Sequence, residues 1–501
     1  MHRLARQQTR SCLCSTVCLL VALSSLVGTL HAAPLEEGEF DWGPLFSRMV
    51  DLHGDTRFRA LGPFVERAES SRGDQLRALR PLYVRAEIAE SGRTHYEFVW
   101  PLAVAKEFKE QFSWRVLTAF YLDFDRTDPD GRYRFWLLPL WFHGRNLEGD
   151  RYAALFPIAG QIDEFLGQDY IRFFFWPLWM QTAVNEVESR HLLWPIVSHT
   201  SGKGIHRFRV FPFYGYSRHR DRFEKRFILW PIWTEARYNY PTSYGSGYVL
   251  FPLYGRIRLS DESTTFVLPP FFRYSRGQRV RTVNAPWPFF QYRTGEEQRL
   301  YFFPVWGRRT LHGNHLNHFL WPIGRYSTIQ RHDTVQHGLN ILPFFYSERE
   351  VTEAFTEEEE PEVRSRYLKV WPLASYRRAG DLRRLRALEF WPLKQTGPVE
   401  RGWAPFWTLG VRTWNEEDLD SELLWGLYRH RRRGDAHYRS VFPLFDSSRD
   451  EAEDRREFNL LRGLVGYRRE GDAMSVRLLY LLRFGRPSAE ETPALQGTAS
   501  D

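Results

Sequence analysis

Cysteine is nearly absent from this 501-residue chain, and the three it has, Cys12, Cys14 and Cys18, all lie in an N-terminal leader. Without that leader no disulfide framework, zinc–thiolate site or cysteine nucleophile can form. Lysine is sparse, confined to positions such as Lys106, Lys203 and Lys369, so the positive charge is almost all arginine. Arginine stacks on rings and forks onto carboxylates in ways lysine does not. Helical periodicity is weak throughout, and the nearest candidates, Ala60 to Leu76 and Arg377 to Leu388, read as strands. No glycine-rich phosphate loop, nucleophile elbow, HExxH or paired-carboxylate signature stands in a supporting context. The expectation is therefore a non-enzymatic protein with no cofactor and no bound metal.

What is abundant is aromatic: 16% of residues are Phe, Trp or Tyr, against 26% charged. That is a core-forming and not a disordered composition. The formal charge of +8 includes Arg3, Arg6 and Arg10 of the leader, so net charge alone points to no acidic partner. The leader has a basic start, an apolar run from Cys18 to Leu30, and small residues at Ala32 and Ala33. This is the layout of a secretory signal peptide covering 1–32. An uncleaved anchor over Cys12 to Leu30 is the alternative. Residues 33–40 read as a linker, 41–485 as a repeat body and 486–501, with no aromatic, as a disordered tail. Export places the protein in the periplasm or outer membrane of a bacterium.

The body repeats one phrase, aromatic-Pro-apolar-aromatic, as in Trp230-Pro231-Ile232-Trp233 and Phe251-Pro252-Leu253-Tyr254. The prolines recur mostly every 17 to 21 residues from Pro44 to Pro443, with Pro392 and Pro405 among them. Gly/Asp turns, such as Gly54-Asp55 and Gly149-Asp150, fall half a period out of phase. Each unit reads as a β-hairpin of about 19 residues, so the fold class is all-β with about two dozen hairpin repeats. Proline cannot donate to a ladder, so it belongs at corners between hairpins and not in mid-strand. A large outer-membrane β-barrel, with one long strand per unit, is the competing architecture. A longer hairpin tip is expected at 348–366, with Glu357 to Glu360 solvated.

Hairpins with apolar bases and polar tips resemble the flower-shaped β-hairpin-repeat proteins of bacteria, in which petals surround a shallow hydrophobic centre. The resemblance runs by meter over Asp41 to Gly485, carried by the Trp/Phe-Pro-Leu/Ile corners. It implies a radial arrangement and, through that family's likeness to tubby-type barrels, association with lipid. So many units leave two lobes or a stacked, closed array open as well.

Trp176, Trp194, Trp230, Trp233, Phe251, Trp287, Trp321, Trp371 and Trp391 are the expected repeat core. Arg218, Arg256, Arg258, Arg273, Arg308 and Arg325 follow the corners and are the candidate binding residues for an anionic group. The partners that fit are anionic lipid, lipopolysaccharide, acidic glycan or other envelope proteins, and not nucleic acid. Two weaker clusters read as turn chemistry. His312, His315 and His318 straddle a turn, which puts His315 and His318 on opposite sides of the returning arm. Asp123 and Asp125 sit beside the Asp128-Pro129-Asp130-Gly131 turn, where the alternative is calcium binding.

Overall fold

The computed structural model describes residues 36–485 apart from 37, 221, 353–361 and 481. The leader, the tail and Glu357 to Glu360 therefore lie outside the described residues. The fold is all-β: the described residues form 46 strands of three to eight residues, and the described pairings join chain neighbours antiparallel. The chain divides into two compact units, 1–100 with 369–501, and 101–368.

Both kinds of connection obey local chemistry. At the tips, Asp51 accepts from the backbone N–H groups of His53 (2.9 Å) and Asp55 (3.2 Å), while Gly54 takes φ 78°. Asn146 and Gly149, at φ 92°, repeat that turn. Only glycine enters this region without steric cost.

At the corners, the Phe223–Ile228 and Trp233–Tyr240 strands pair from Ile228 opposite Trp233, leaving Leu229 to Ile232 as the loop. The Ile232 N–H donates to the Leu229 carbonyl at 2.7 Å, and the Trp230–Pro231 peptide is cis, as in a type VI turn. Pro231 thus sits outside the ladder, where its missing N–H is not needed. Corners also bond to one another. Trp230 donates to the Pro212 carbonyl, Trp194 to Pro177 and Trp321 to Pro304, at 2.7 to 2.8 Å. Proline carbonyls and aromatic N–H groups thereby continue the ladder along the edge of the sheet, leaving few orphan backbone groups. Within each unit, pairing therefore passes through tips and corners alike. Among the described pairings, the first strand, Phe40–Trp42, meets only Phe46–Val50, and the last, Leu482–Gly485, meets only Ala473–Leu478. A closed barrel requires those ends to pair.

The corner aromatics are not a buried core. Trp230 is 53% exposed and Trp321 56%; Trp176, Trp194, Trp287 and Phe251 are also exposed, whereas Trp233, Trp371 and Trp391 are half-buried. Among the described strands of 101–368 contacts are chiefly between chain neighbours, so a corner packs mainly against the next corner. Trp176 lies 5.9 Å from Trp194, and Phe211 lies 5.5 Å from Trp230, ring to ring. The buried hydrophobic cluster of this unit, Phe142, Tyr152, Ala154, Ile162 and Phe173, lies on one face of the sheet. Further along that face glycines lie beneath cross-strand rings, as Gly215 does under Phe227 and Gly307 under His318.

The meter breaks at 388–409. Pro392 and Pro405, expected at corners, lie in an irregular stretch and in the second of two short helices, Gly397–Gly402 and Ala404–Trp407. Proline at the first turn suits a helix, because that N–H has no intrahelical partner. Ala60 to Leu76 and Arg377 to Leu388 are strands joined by turns, as expected. The 348–366 tip is bounded by Thr352 and Glu362, whose backbones bond at 2.9 Å.

Candidate functional site

The cross-strand register splits the candidate arginines between two faces of 101–368. Arg256 and Arg308 lie on one row, running through Thr265, Tyr274, Val283, Tyr292 and Leu300, with Arg218 and Arg258 on the same face. Arg273 and Arg325 lie on the opposite face, on a row through Asn284, Gln291, Tyr301, Gly307 and His318. No single rim gathers all six. Arg218 pairs with Glu224 at 3.2 Å and Arg273 with Glu262 at 3.8 Å, while Arg256, Arg258, Arg308 and Arg325 have no carboxylate partner among the described residues.

His315 and His318 do face opposite sides. His315 meets the Thr310 hydroxyl at 3.0 Å, and His318 packs edge-on to Tyr301 over Gly307. Asp123 pairs with Arg134, and Asp125 accepts from Thr127 at 2.8 Å in the turn. Among the described residues no three metal-ligating side chains come together.

The most developed site is one the sequence did not single out, inside the unit formed by 1–100 and 369–501. Two ladders face each other there through polar rows. One runs Asp41, Ser47, Arg59, Glu66; the other runs Arg386, Val411, Glu422, Arg429, Ser440, Asp446, Asn459. Residues of the two rows bond across the gap. Arg59 forks onto Glu422 (2.5 and 3.0 Å), Arg431 reaches Glu39 (2.7 Å), and Arg429 meets Asp41 and the Ser47 hydroxyl (2.9 Å). The helical insertion adds Arg401 on Glu97 and the Trp403 indole on the Trp100 carbonyl (2.8 Å).

Between these rows is a cavity of about 590 Å³. Eight arginines and eight carboxylates line it, so its charge is largely self-compensating. Each carboxylate is engaged: Asp51 by Arg57, Glu66 by Arg80, Glu87 by Arg85, Glu400 by Arg386, Asp420 by Arg431 and Glu422 by Arg59. Asp55 and Asp74 accept from the backbones of Ser71 and Ala89. Burial alone would raise the Glu66 carboxyl, but Arg80, Arg59 and Arg57 hold it down at about 2. Arg384 is the exception among the arginines. Its side chain is exposed, it lines the cavity, and it has no hydrogen-bond or carboxylate partner among the described residues. Desolvation by the walls around it, with the Arg57 and Arg386 charges beside it, pulls its pKa below the usual arginine value.

Alternating charges on a strand read the same whether they face water or a second ladder, which is why this interior was not anticipated. The one signal was the density of arginine in "LRRLRA" and "YRHRRR", far from any matching run of acids.

No protein-family model matches the chain, and no curated protein matches it. Among solved structures it is similar to the wild-type TCP10 domain of Danio rerio CPAP in complex with a peptide of Danio rerio STIL, at 14% identity. That match covers 34% of this chain and 92% of the other, with a TM-score of 0.15, too low to carry an argument.

Proposed function

We propose that the protein is a non-enzymatic binding module of a bacterial envelope that docks its corner edge on an anionic lipid surface. The observation that carries this is the run of bare apolar corners in 101–368. The residue after the proline is 61% exposed at Phe213, 59% at Leu253 and 55% at Phe289. Consecutive corners are about 10 Å apart, two strand spacings, and Trp194, Trp230 and Trp321 are exposed beside them. A row of Trp, Phe and Leu with polar groups behind it suits the boundary between acyl chains and headgroups. Arg256 and Arg308 lie three residues past Leu253 and Val305, about 10 Å behind the edge, within reach of phosphate for a long flexible side chain. A transmembrane barrel is the less favoured reading, since among the described residues the first and last strands do not pair.

Liposome flotation tests the proposal. The protein floats with anionic vesicles, including vesicles carrying lipopolysaccharide, and less with neutral ones. Phe213→Asp/Leu253→Asp/Phe289→Asp, checked for folding by circular dichroism, stays at the bottom of the gradient. Arg256→Gln/Arg308→Gln loses the preference for anionic lipid. Equal recovery with neutral vesicles sinks the headgroup contact, and failure to float with any vesicle sinks the proposal.

A further inference from the structure

The cavity between the two ladders of 1–100 and 369–501 is separate from the corner edge, and its charge balance is uneven at one place. Every lining carboxylate is engaged, and every lining arginine except Arg384 has a protein acceptor. Arg57, whose charge acts on Arg384, pairs with Asp51 at 3.2 Å but keeps its Nε buried without a partner. Guanidinium groups crowded side by side, as Arg384 is with Arg57 and Arg386, repel one another, and an anion that enters between them relieves that repulsion. The space is within the usual range for small-molecule sites, roughly 300 to 1,000 Å³. Its walls are not all charged: Leu76, Ala86, Leu382 and Val411 also face it.

We propose that this cavity is a binding site for a small organic anion, one carboxylate or phosphate group on a compact apolar body, with Arg384 as the anchoring fork and Arg57 beside it. Planar guanidinium donors match both oxyanions in a bidentate manner. The carboxylates of Asp51 and Glu400, the acids acting most directly on Arg384, are tied to Arg57 and Arg386 and so leave it available to the ligand.

Titration calorimetry on the full chain, with inorganic phosphate, hexanoate and uncharged hexanamide as probes, tests the assignment. Hexanoate, phosphate or both bind and hexanamide does not; which of the two binds assigns the headgroup. Arg384→Gln weakens that binding by at least about tenfold, the loss of one charge-assisted hydrogen bond. Arg384→Lys, which keeps the charge but not the fork, weakens it less, and Arg258→Gln, outside the cavity, leaves it unchanged. Absence of heat with both anions, or binding indifferent to Arg384→Gln and Arg57→Gln, overturns the proposal.

Discussion

Replacing Asp41 by alanine is the sharpest test of the ionic interior. Asp41 is 3% exposed and accepts from Arg429, from the Tyr438 hydroxyl (2.9 Å) and from the Gly43 N–H (2.8 Å). Asp41→Ala strands the Arg429 guanidinium, itself 3% exposed, and breaking a buried pair from one side costs about 3–5 kcal/mol. The orphaned Tyr438 hydroxyl adds roughly 1–3 kcal/mol. Arg429 keeps the Ser47 hydroxyl and has Glu422 at 4.0 Å, so the terms do not add fully, and the expected loss is about 4 kcal/mol. Urea denaturation followed by tryptophan fluorescence measures it, with Arg258→Gln as the neutral control. Asp41→Ala/Arg429→Met removes the stranded charge as well and recovers roughly half of the loss, about 2 kcal/mol. A loss below about 1 kcal/mol for Asp41→Ala, or strict additivity in the double variant, refutes the view that these pairs hold the two ladders together.

Other consequences follow from the same geometry. Burial raises the Asp446 carboxyl to about 6 against Asn459 and Arg462, so its folded-state penalty is present above pH 6 and relieved as the pH falls towards 4. Asp446→Asn is therefore most favourable near pH 7, and its advantage over the wild type shrinks by up to about 3 kcal/mol by pH 4, read from denaturation at each pH. Glu66 has the opposite sign: held at about 2, it contributes stability that is full above its ordinary value near 4.5 and lost as the pH falls towards 2. Glu66→Gln removes that acid-side loss while lowering stability at pH 7. In 101–368, a Cβ at Gly215 would meet the Phe227 ring at 2.0 Å, so Gly215→Ala costs about 1–3 kcal/mol by displacing the ring, measured by thermal unfolding.

Much of the local structure was legible in the sequence because its signals are short-range. Asp51, Gly54 and Asn146 mark tips through their own backbone chemistry, and Pro231 marks a corner because it cannot join a ladder. Burial was less legible. Trp230 and Trp321 read as core because large aromatics usually are, yet a corner packs mainly against the next corner. The reverse error concerns Asp41, Glu66, Arg429 and Asp446. Charged residues alternating along strands look solvated, and only the meeting of residues nearly four hundred positions apart, Asp41 with Arg429, turns them into an interior. The helices at 397–407 escaped notice because Pro392 and Pro405 keep the repeat's spelling while the chain between them does not keep its turns.

Depth-dependent quenching of tryptophan fluorescence tests the proposed contact of the corner edge with lipid. With vesicles containing lipids brominated at shallow and deep acyl positions, the exposed corner tryptophans, Trp194, Trp230 and Trp321 among them, should be quenched most strongly by the shallow label. Phe213→Asp/Leu253→Asp/Phe289→Asp should abolish that quenching. Vesicle-bound protein whose fluorescence neither label quenches, or a corner variant quenched as strongly as the wild type, rules out insertion of the corner edge.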